Sequence, residues 1–297
     1  MSNAATTREA LIQLAHGAMA PATLDRLFAS YGTPDEVLSA VERGRTRLSA
    51  RVVDAIRVPA DVRLTELKTL GISFLCEGDD RFPERLTAYP GCPRFLFLRG
   101  EVSSRPAIGI VGTRTCTTYG TDLAAMYGAV AADAGWSVVS GLARGIDGAA
   151  HRGSTSAGGH SHAVLGSGVD VVYPRSHRGL YGSILEADGA VSSEYPPGTP
   201  PEAWRFPTRN RIIAALSDVL LVVEAGLKGG ALITARIALD YGIPVYAVPG
   251  DVDRAASVGT NLLIRDGAFP ILGEDDFAEV LSLLEPLYSA RCGEASD

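Results

Sequence analysis

The spacing of hydrophobic positions changes at about residue 107, and this change predicts the architecture. The stretch Ala107 to Val111 is almost uniformly apolar, ends at Gly112, and is followed from about Tyr119 by a helical pattern. Short apolar runs of this kind are typical of strands buried on both faces of a parallel sheet. Further strands are predicted at Trp136–Ser140, Ser161–Leu165, Val191–Ser193, Val219–Val223, Val245–Val248 and Phe269–Leu272. Because helical stretches separate them, we expect a doubly wound, mainly parallel α/β sheet.

The first part of the chain has a helical pattern instead. Between residues 7 and 58, apolar residues recur at helical spacing, with breaks at Gly17 and at residues 32–34. We therefore predict a small all-α domain over residues 1–63, similar to a SAM-like or helix-hairpin-helix bundle. In one interpretation, amides of the hairpin at residues 16–23 contact a DNA backbone. In the other, the bundle only packs or mediates protein contacts.

The same patterns set the remaining boundaries. Residues 64–275 are predicted to form one extended domain, in which residues 64–105 precede the parallel sheet as a connector. Residues 276–297 are expected to be a C-terminal tail. Two strands are predicted in the connector and one helix in the tail, at Ile72–Leu75, Phe95–Leu98 and Phe277–Tyr288.

Composition narrows the class of protein. The 297 residues are 46% hydrophobic and 21% charged, which is enough to bury a sizeable core. No apolar run approaches membrane-spanning length and no secretory leader is visible, so we expect a cytoplasmic protein without membrane contact. The cysteines Cys76, Cys92, Cys116 and Cys292 lack C-x-x-C spacing and are expected to be free thiols. The net charge of −7 opposes nucleic-acid binding unless positive charge is concentrated locally.

Glycines are concentrated at the ends of the predicted strands. The carboxyl ends of parallel strands share one edge of the sheet, which is where such sheets bind ligands. The glycines after the strands are Gly112, Gly141, Gly145, Gly166, Gly168, Gly226, Gly229, Gly230 and Gly250. We expect the backbone to approach a ligand along this whole edge, and Arg114 to offer a phosphate its guanidinium. The G-x-x-G spacing of Gly109 and Gly112 does not match the dinucleotide fingerprint.

Positive charge is densest between residues 204 and 211, which include Arg205, Arg209 and Arg211. An apolar stretch follows from residue 212, so we expect Asn210 and Arg211 at a helix N-terminus, where free amides favour an anion. The aromatic side chains of this segment, Trp204 and Phe206, are suited to stacking on a base. The alternative is a surface arginine cluster paired with acids elsewhere, with both aromatic side chains in the core.

Side chains that suggest catalysis are few. Asp147 and His151 have helical spacing and are expected to share a hydrogen bond rather than to act as acid/base or metal partners. The H-x-H pair at His160 and His162 lacks a carboxylate pattern, so we expect no metal site. Glu224 ends the most apolar strand and is either catalytic or an acceptor for amides of the loop at residues 226–230. No nucleophile triad or Walker motif is present. We therefore expect binding, with no cofactor and no enzymatic activity.

Six sequence blocks resemble the DNA-processing protein A (DprA/Smf) family. They are Ile110–Arg114, Val139–Asp147 with Ala149–His151, Ala163–Gly166 to Tyr173–Pro174, Glu194–Pro200, Phe206–Ile213, and Ala231–Ala235 leading to Val248–Gly250. The resemblance covers about residues 64–272. It implies a Rossmann-like domain that binds and protects single-stranded DNA without sequence preference and loads the RecA recombinase in natural transformation. It also implies a homodimer with no established catalytic activity.

The resemblance further implies a basic pocket that grips the strand. Carried over by motif, its residues are Gly112, Thr113, Arg114, Gly141, Arg144, Phe206, Arg209, Asn210, Arg211, Gly229 and Gly230. We expect phosphates at Arg114, Arg209 and Arg211, with Phe206 stacking on or near a base. The sequence departs from the family at Ala231, where serine is usual. About two dozen residues follow Leu272, so the winged-helix module of many members is expected to be absent.

Two rival functions stay open. Related Rossmann-like phosphoribohydrolases bind a small phosphate at the same edge, and Glu224 would then contact the ribose. Their Pro-Gly-Gly-x-Gly-Thr loop is not matched by residues 226–230, which read Gly-Leu-Lys-Gly-Gly. The third possibility is a scaffold that meets RecA and other proteins only through its surface, without affinity for DNA.

Overall fold

The computed structural model describes residues 3–293, and a mixed, nine-stranded sheet organises them. The strands in chain order are β1 (Ser73–Cys76), β2 (Phe95–Gly100), β3 (Ala107–Val111), β4 (Ser137–Ser140), β5 (Ser161–Leu165), β6 (Ala190–Ser193), β7 (Val219–Val222), β8 (Val245–Ala247) and β9 (Phe269–Pro270). In space they lie in the order β1-β2-β6-β5-β4-β3-β7-β8-β9. The seven neighbouring strands β6, β5, β4, β3, β7, β8 and β9 are parallel to one another. Beside β6, strand β2 pairs in the antiparallel direction, and β1 pairs antiparallel to β2. The predicted Rossmann-like fold is confirmed.

Twelve α-helices occur among the described residues. They are α1 (Asn3–Ala15), α2 (Pro21–Tyr31), α3 (Pro34–Glu42), α4 (Ala50–Arg57), α5 (Ala60–Thr69), α6 (Thr118–Asp133), α7 (Ile146–Ser156), α8 (Arg178–Glu186), α9 (Arg205–Ala215), α10 (Gly230–Asp240), α11 (Val258–Arg265) and α12 (Glu274–Gly293). Short 3-10 turns lie at residues 84–87 and 175–177. None of these helices is long and apolar enough to cross a bilayer.

Alternate residues of the central strands face two helical layers. Ile108 and Ile110 of β3 pack with α6, α7 and α12, whereas Ala107 and Val111 pack with α9 and α10. Both faces of the strand are therefore buried, which is why its sequence reads as a continuous apolar run. The strand predictions from residue 107 onward are confirmed, with the last two strands shorter than expected.

The boundaries predicted from the sequence fall inside helices. The division at residues 63 and 64 lies within α5, and the division at residues 275 and 276 lies within α12. Phe277 and Leu281 of α12 are buried in the cluster that contains α6, and the Phe277 ring meets Tyr127 edge-on at 4.8 Å. The segment from residue 276 to 293 is thus a layer of the sheet domain rather than a separate tail.

The N-terminal helices pack against the antiparallel edge of the sheet. Their apolar side chains share one cluster with Phe74 of β1, Phe97 of β2 and Val169 in the loop after β5. The predicted breaks at Gly17 and residues 32–34 are confirmed, and Thr33 closes a capping box with Glu36 at the start of α3. The amides of residues 16–18 donate to α1 carbonyls, so they are not available to a DNA backbone.

Two glycines allow α6 and α7 to touch along their backbones. A Cβ at Gly128 would overlap the carbonyl oxygen of Ala150, and one at Gly153 would overlap that of Ala125. Both atoms belong to backbone, so neither obstacle can rotate away. The close approach of these helices therefore requires glycine at both positions.

Replacing Gly153 with alanine tests this packing. Alanine favours a helix intrinsically, but the clash with the Ala125 carbonyl is expected to lower the free energy of unfolding by about 1–3 kcal/mol. Gly182 of α8 is a matched control, because its nearest neighbour would be 3.9 Å from an added Cβ. Gly182→Ala should instead stabilise the protein by about 0.5–1 kcal/mol. Urea unfolding measures both, and equal effects would contradict the packing argument.

Candidate nucleic-acid interface

A cleft of about 750 Å³ opens at the carboxyl edge of the sheet. It lies beside β3 and β7, where the chain order of the strands reverses, which is the usual ligand position in doubly wound sheets. Its walls are the turn after β3, the loop after β7, the first turns of α9 and one face of α10. The polar, aromatic and glycine residues that line it include Gly112, Thr113, Arg114, Asp147, Phe206, Arg209, Asn210, Lys228, Gly229, Gly230 and Arg236.

The glycines of this edge fall into two groups. A Cβ at Gly112 would overlap Ile146, and one at Gly141 would lie 2.6 Å from an oxygen of Asp147. These glycines approach the protein itself, so the prediction of close ligand approach along the whole edge is wrong. In contrast, a Cβ at Gly229 would meet nothing within 4 Å, and one at Gly230 only Asn210 at 3.7 Å. Packing does not require glycine at these two positions, which leave the cleft open to a ligand.

The same loop leads into α10, which begins at Gly230 without a side-chain cap. The first amides of a helix have no partner within the helix, and the helix dipole makes this end positive. Ala231, which replaces the serine usual in the family, is buried and supplies no capping hydroxyl. Backbone donors are therefore available at the floor of the cleft.

An arginine and two aromatic rings form a stack on one wall. The Arg114 guanidinium lies 4.9 Å from the centre of the Phe206 ring, and Tyr173 lies 5.4 Å from the same ring at a tilt of 35°. Phe206 is half-buried, whereas Arg114 and Tyr173 are exposed. The expected proximity of Arg114 and Phe206 is present, and the stack adds Tyr173 as a second aromatic surface that a base can reach.

The arginine-rich segment folds differently from the prediction. Helix α9 already begins at Arg205, so Asn210 and Arg211 lie in its middle and not at its N-terminus. Pro207 occupies the first turn, where a missing N–H removes no helical hydrogen bond. Asn210 and Arg211 therefore supply no helix N-terminus, whereas the N-terminus of α10 lies at the cleft.

Arg209 is 4% exposed and is bound mainly to the protein. Its Nη1 donates to the carbonyl oxygens of Gly141, at 2.8 Å, and Val164. The Asp147 carboxylate nearby accepts the Gly141 amide at 3.1 Å, so this amide is not free for an anion. Burial lowers the pKa of Arg209 to about 10 and raises the pKa of Asp147. Within the described part of the chain Nη2 of Arg209 makes no hydrogen bond, and the residue is part of the cleft lining.

The other predicted members differ in their positions. Asn210 lines the cleft and donates to the Gly230 carbonyl at 3.2 Å, which anchors the glycine loop. Arg211 forms a buried ion pair with Glu194, both oxygens accepting at 2.8 Å, and does not line the cleft. The expectation that Arg211 offers its charge to a phosphate there is therefore wrong. Arg144 is exposed but also lies outside the cleft lining.

Two cations of the cleft were not predicted from the sequence. Lys228 and Arg236 are exposed, and neither makes an ion pair within residues 3–293. Arg236 follows Gly230 and Ile233 at spacings of three, so one face of α10 lines the cleft. Helical periodicity across residues 230–240 contains this pattern and would have found Arg236.

The candidate catalytic side chains have structural partners. Glu224 accepts from the Thr117 amide at 2.8 Å and hydroxyl at 2.9 Å at the start of α6, and not from the glycine loop. Asp147 and His151 do not bond each other, because His151 meets Ser161 at 3.1 Å. His160 lies 2.9 Å from the Glu101 carbonyl oxygen, and His162 lies 2.8 Å from the Ser192 hydroxyl.

The described cysteine, histidine and carboxylate side chains are not grouped for metal binding or paired in disulfides. Among the residues described, no three His, Cys, Asp or Glu side chains lie close enough to hold a metal ion. Cys76, Cys92 and Cys116 are free thiols, and the Cys292 side chain lies outside the described side chains.

Comparison with known proteins places the chain in a family. The model of DNA recombination-mediator protein A matches residues 73–282. The chain belongs to this family. Protein Smf of Escherichia coli is 41% identical over 202 residues, which are 67% of this chain and 54% of that protein. The DNA processing protein DprA of Bacillus subtilis is 37% identical over 221 residues, 73% of this chain and 74% of that protein. The chain thus spans about half the length of the Escherichia coli relative.

Solved structures agree with this assignment. DNA processing protein A from Streptococcus pneumoniae superimposes with a TM-score of 0.75 and 29% identity, covering 90% of this chain and 95% of that one. DNA processing protein A from Helicobacter pylori, described for its mode of binding single-stranded DNA, gives a TM-score of 0.62 and 27% identity over 71% of this chain and 95% of that one. Helices α1 to α5 precede the residues matched by the family model.

Removing the Arg209 side chain should destabilise the fold. Arg209→Ala leaves two buried carbonyls without their donor, which is expected to cost about 1–3 kcal/mol for each unpaired group. Arg236→Ala is the matched control on the same cleft, because its exposed side chain has no such partners, and its effect should stay within about 0.5 kcal/mol. Equal free energies of unfolding for the two variants would contradict a structural role for Arg209.

The buried histidines predict loss of stability in acid. Burial lowers the pKa of His162 to about 3, from an ordinary value of 6.5. The unfolded chain takes up the proton below pH 6.5 and the folded chain does not, so stability falls between pH 6.5 and about 3. From pH 7 to pH 5 this one group removes about 2 kcal/mol. His162→Gln should reduce the pH dependence by that amount in urea unfolding; an unchanged pH dependence would show that His162 does not contribute.

Proposed function

We propose that the chain binds single-stranded DNA without sequence preference, with the strand lying in the cleft beside β3 and β7. The observation that carries this proposal is the lining of the cleft. Exposed cations at Arg114, Lys228 and Arg236 surround a helix N-terminus and two glycines that packing does not require. Cations and free amides recognise phosphates, and neither distinguishes one base from another.

The aromatic stack supports a single strand over a duplex. Unpaired bases expose their faces and stack on aromatic side chains, whereas bases in a duplex do not. Tyr173 and Phe206 offer such a surface beside Arg114. Membership of the DNA recombination-mediator family and the single-strand-binding relative from Helicobacter pylori support the same partner.

The cellular role in this proposal follows the family. The chain would protect incoming single strands and load RecA in natural transformation, acting in the cytoplasm as a homodimer without catalysis. Exposed apolar side chains support a dimer: Phe269 is 58% and Leu272 74% exposed on and beside β9, the last strand at one edge of the sheet. The hydrolase alternative has less support, because Glu224 binds Thr117 and does not line the cleft.

Substituting Arg114 is the sharpest test of the cleft. Arg114→Ala should weaken binding of every single-stranded oligonucleotide alike. It should also reduce the slope of log affinity against log salt by about 0.7, the value expected when one phosphate on a single strand is no longer neutralised. Fluorescence anisotropy of a labelled oligonucleotide across a salt series measures both quantities.

Arg265→Ala is the control for this experiment. Its side chain is exposed on α11 and does not line the cleft, so affinity and slope should match the unmodified protein. Unchanged affinity and slope in Arg114→Ala would exclude the cleft as the binding site. Release of free base from nucleoside monophosphates would favour the hydrolase instead.

A further inference from the structure

A second concentration of positive charge lies in the N-terminal helical bundle. The segment of residues 43–51, which comprises the connection from α3 to α4 and the first two residues of α4, contains four arginines and no acidic residue, in a chain whose net charge is −7. We call this segment the arginine loop; its arginines are Arg43, Arg45, Arg47 and Arg51. All four are exposed. Across residues 3–293 their side chains make no ion pair or hydrogen bond.

The first part of the arginine loop is held by bonds that do not use its arginine side chains. The Gly44 amide donates to the Val41 carbonyl and the Arg45 amide to the Ala40 carbonyl, at 3.0 and 2.9 Å. The Tyr31 hydroxyl donates to the Arg45 carbonyl at 2.7 Å. Backbone bonds therefore hold the segment, and the guanidinium groups are left in solvent.

Helix stability does not explain the charges. Arg51 lies in the first turn of α4, where the helix dipole disfavours a cation, and no acidic residue balances it in that turn. Four like charges within nine residues of chain also repel one another, which is a second cost. A bound polyanion removes both costs, since it neutralises the repulsion and favours a cluster over a single cation.

A series of contacts connects the arginine loop to the carboxyl edge that bears the cleft. The loop after β5 carries both Tyr173, which stacks on Phe206 in the cleft, and Val169, which is buried with α2 residues. Helix α2 meets the start of β2 at Phe28, whose ring lies 4.8 Å from the Arg94 guanidinium. The same helix ends at Tyr31, which holds the arginine loop.

We propose that the arginine loop binds phosphates of the same single strand after it leaves the cleft past Tyr173. This inference rests on the proposed function and assigns the bundle, which lies outside the family match, a part in DNA binding. Several guanidinium groups within one short exposed segment fit a chain of phosphates better than a single phosphate. The cleft would thus hold the first nucleotides of the strand, and the bundle would bind further nucleotides beyond them.

Oligonucleotide length separates the two sites. A variant with all four arginines changed to glutamine should bind an oligonucleotide of about 6 nucleotides, which occupies only the cleft, with unchanged affinity and salt slope. For an oligonucleotide of about 30 nucleotides, we expect affinity to fall on the order of tenfold at moderate salt. The salt slope should fall by about 0.7 for each phosphate that the loop no longer neutralises. Fluorescence anisotropy across a salt series measures these effects.

Two sets of variants control for charge and folding. A matched change of Arg178 and Arg265 to glutamine removes exposed charge elsewhere and should leave both oligonucleotides unaffected. The double variants R43Q/R45Q and R47Q/R51Q should each show part of the affinity loss that the fourfold variant shows for the long oligonucleotide. A loss of folding would not be divided between the two pairs in this way. Circular dichroism melting of every variant should match that of the unmodified protein.

The outcomes distinguish this inference from the function on which it rests. Unchanged binding of the long oligonucleotide by the fourfold variant, with Arg114→Ala still weakened, overturns the arginine loop alone. Failure of the unmodified protein to bind either oligonucleotide overturns both proposals. If the fourfold variant loses binding only to duplex DNA, or only to anionic phosphatidylglycerol vesicles, the arginine loop has another partner. Either outcome would also overturn the inference.

Discussion

The cleft depends on a buried guanidinium at the carboxyl ends of two neighbouring strands. Arg209 reaches from α9 to the carbonyls of Gly141, directly after β4, and Val164 in β5. The carboxylate of Asp147, at the start of α7, accepts a hydrogen bond from the amide of the same Gly141. A side chain at residue 141 would displace both groups, so Gly141, Asp147 and Arg209 form one unit. Because α9 is one wall of the cleft, this unit fixes the distance between that wall and the strand ends.

The arginines of the chain divide according to their partners. Arg205, Arg209 and Arg211, the densest run found between residues 204 and 211, are all buried or nearly so and bind carbonyls or carboxylates. Exposed cations lie elsewhere, among them those on the cleft rim and those in the arginine loop. The net charge of −7 therefore says little about the electrostatic potential at the cleft or at the arginine loop, because local clusters of charge and helix ends set that potential.

Prediction from the sequence succeeds where an element depends on interactions between residues that are near in the chain, and fails where it depends on distant ones. Strands β3 to β7 were predicted within one residue at most ends, because burial on both faces leaves a local apolar run. The start of α9 lies earlier than predicted, because the apolar stretch begins only at residue 212 whereas the preceding polar residues are also helical. The edge role of β1 and β2 depends on pairing with β6, which is distant in the chain and leaves no local pattern.

The sequence by itself determined the fold class, the family and the edge of the sheet that carries the site. The periodicity of apolar residues and the glycines that follow the strands are local properties, so they can be read directly from the sequence. Only the tertiary structure decided which glycines border the open cleft and which face Ile146 or Arg209, and which arginines keep a free charge. Those outcomes depend on contacts between α9, α10 and distant strand ends. Chemically identical side chains acquire different roles there, because burial and partners are set by the fold.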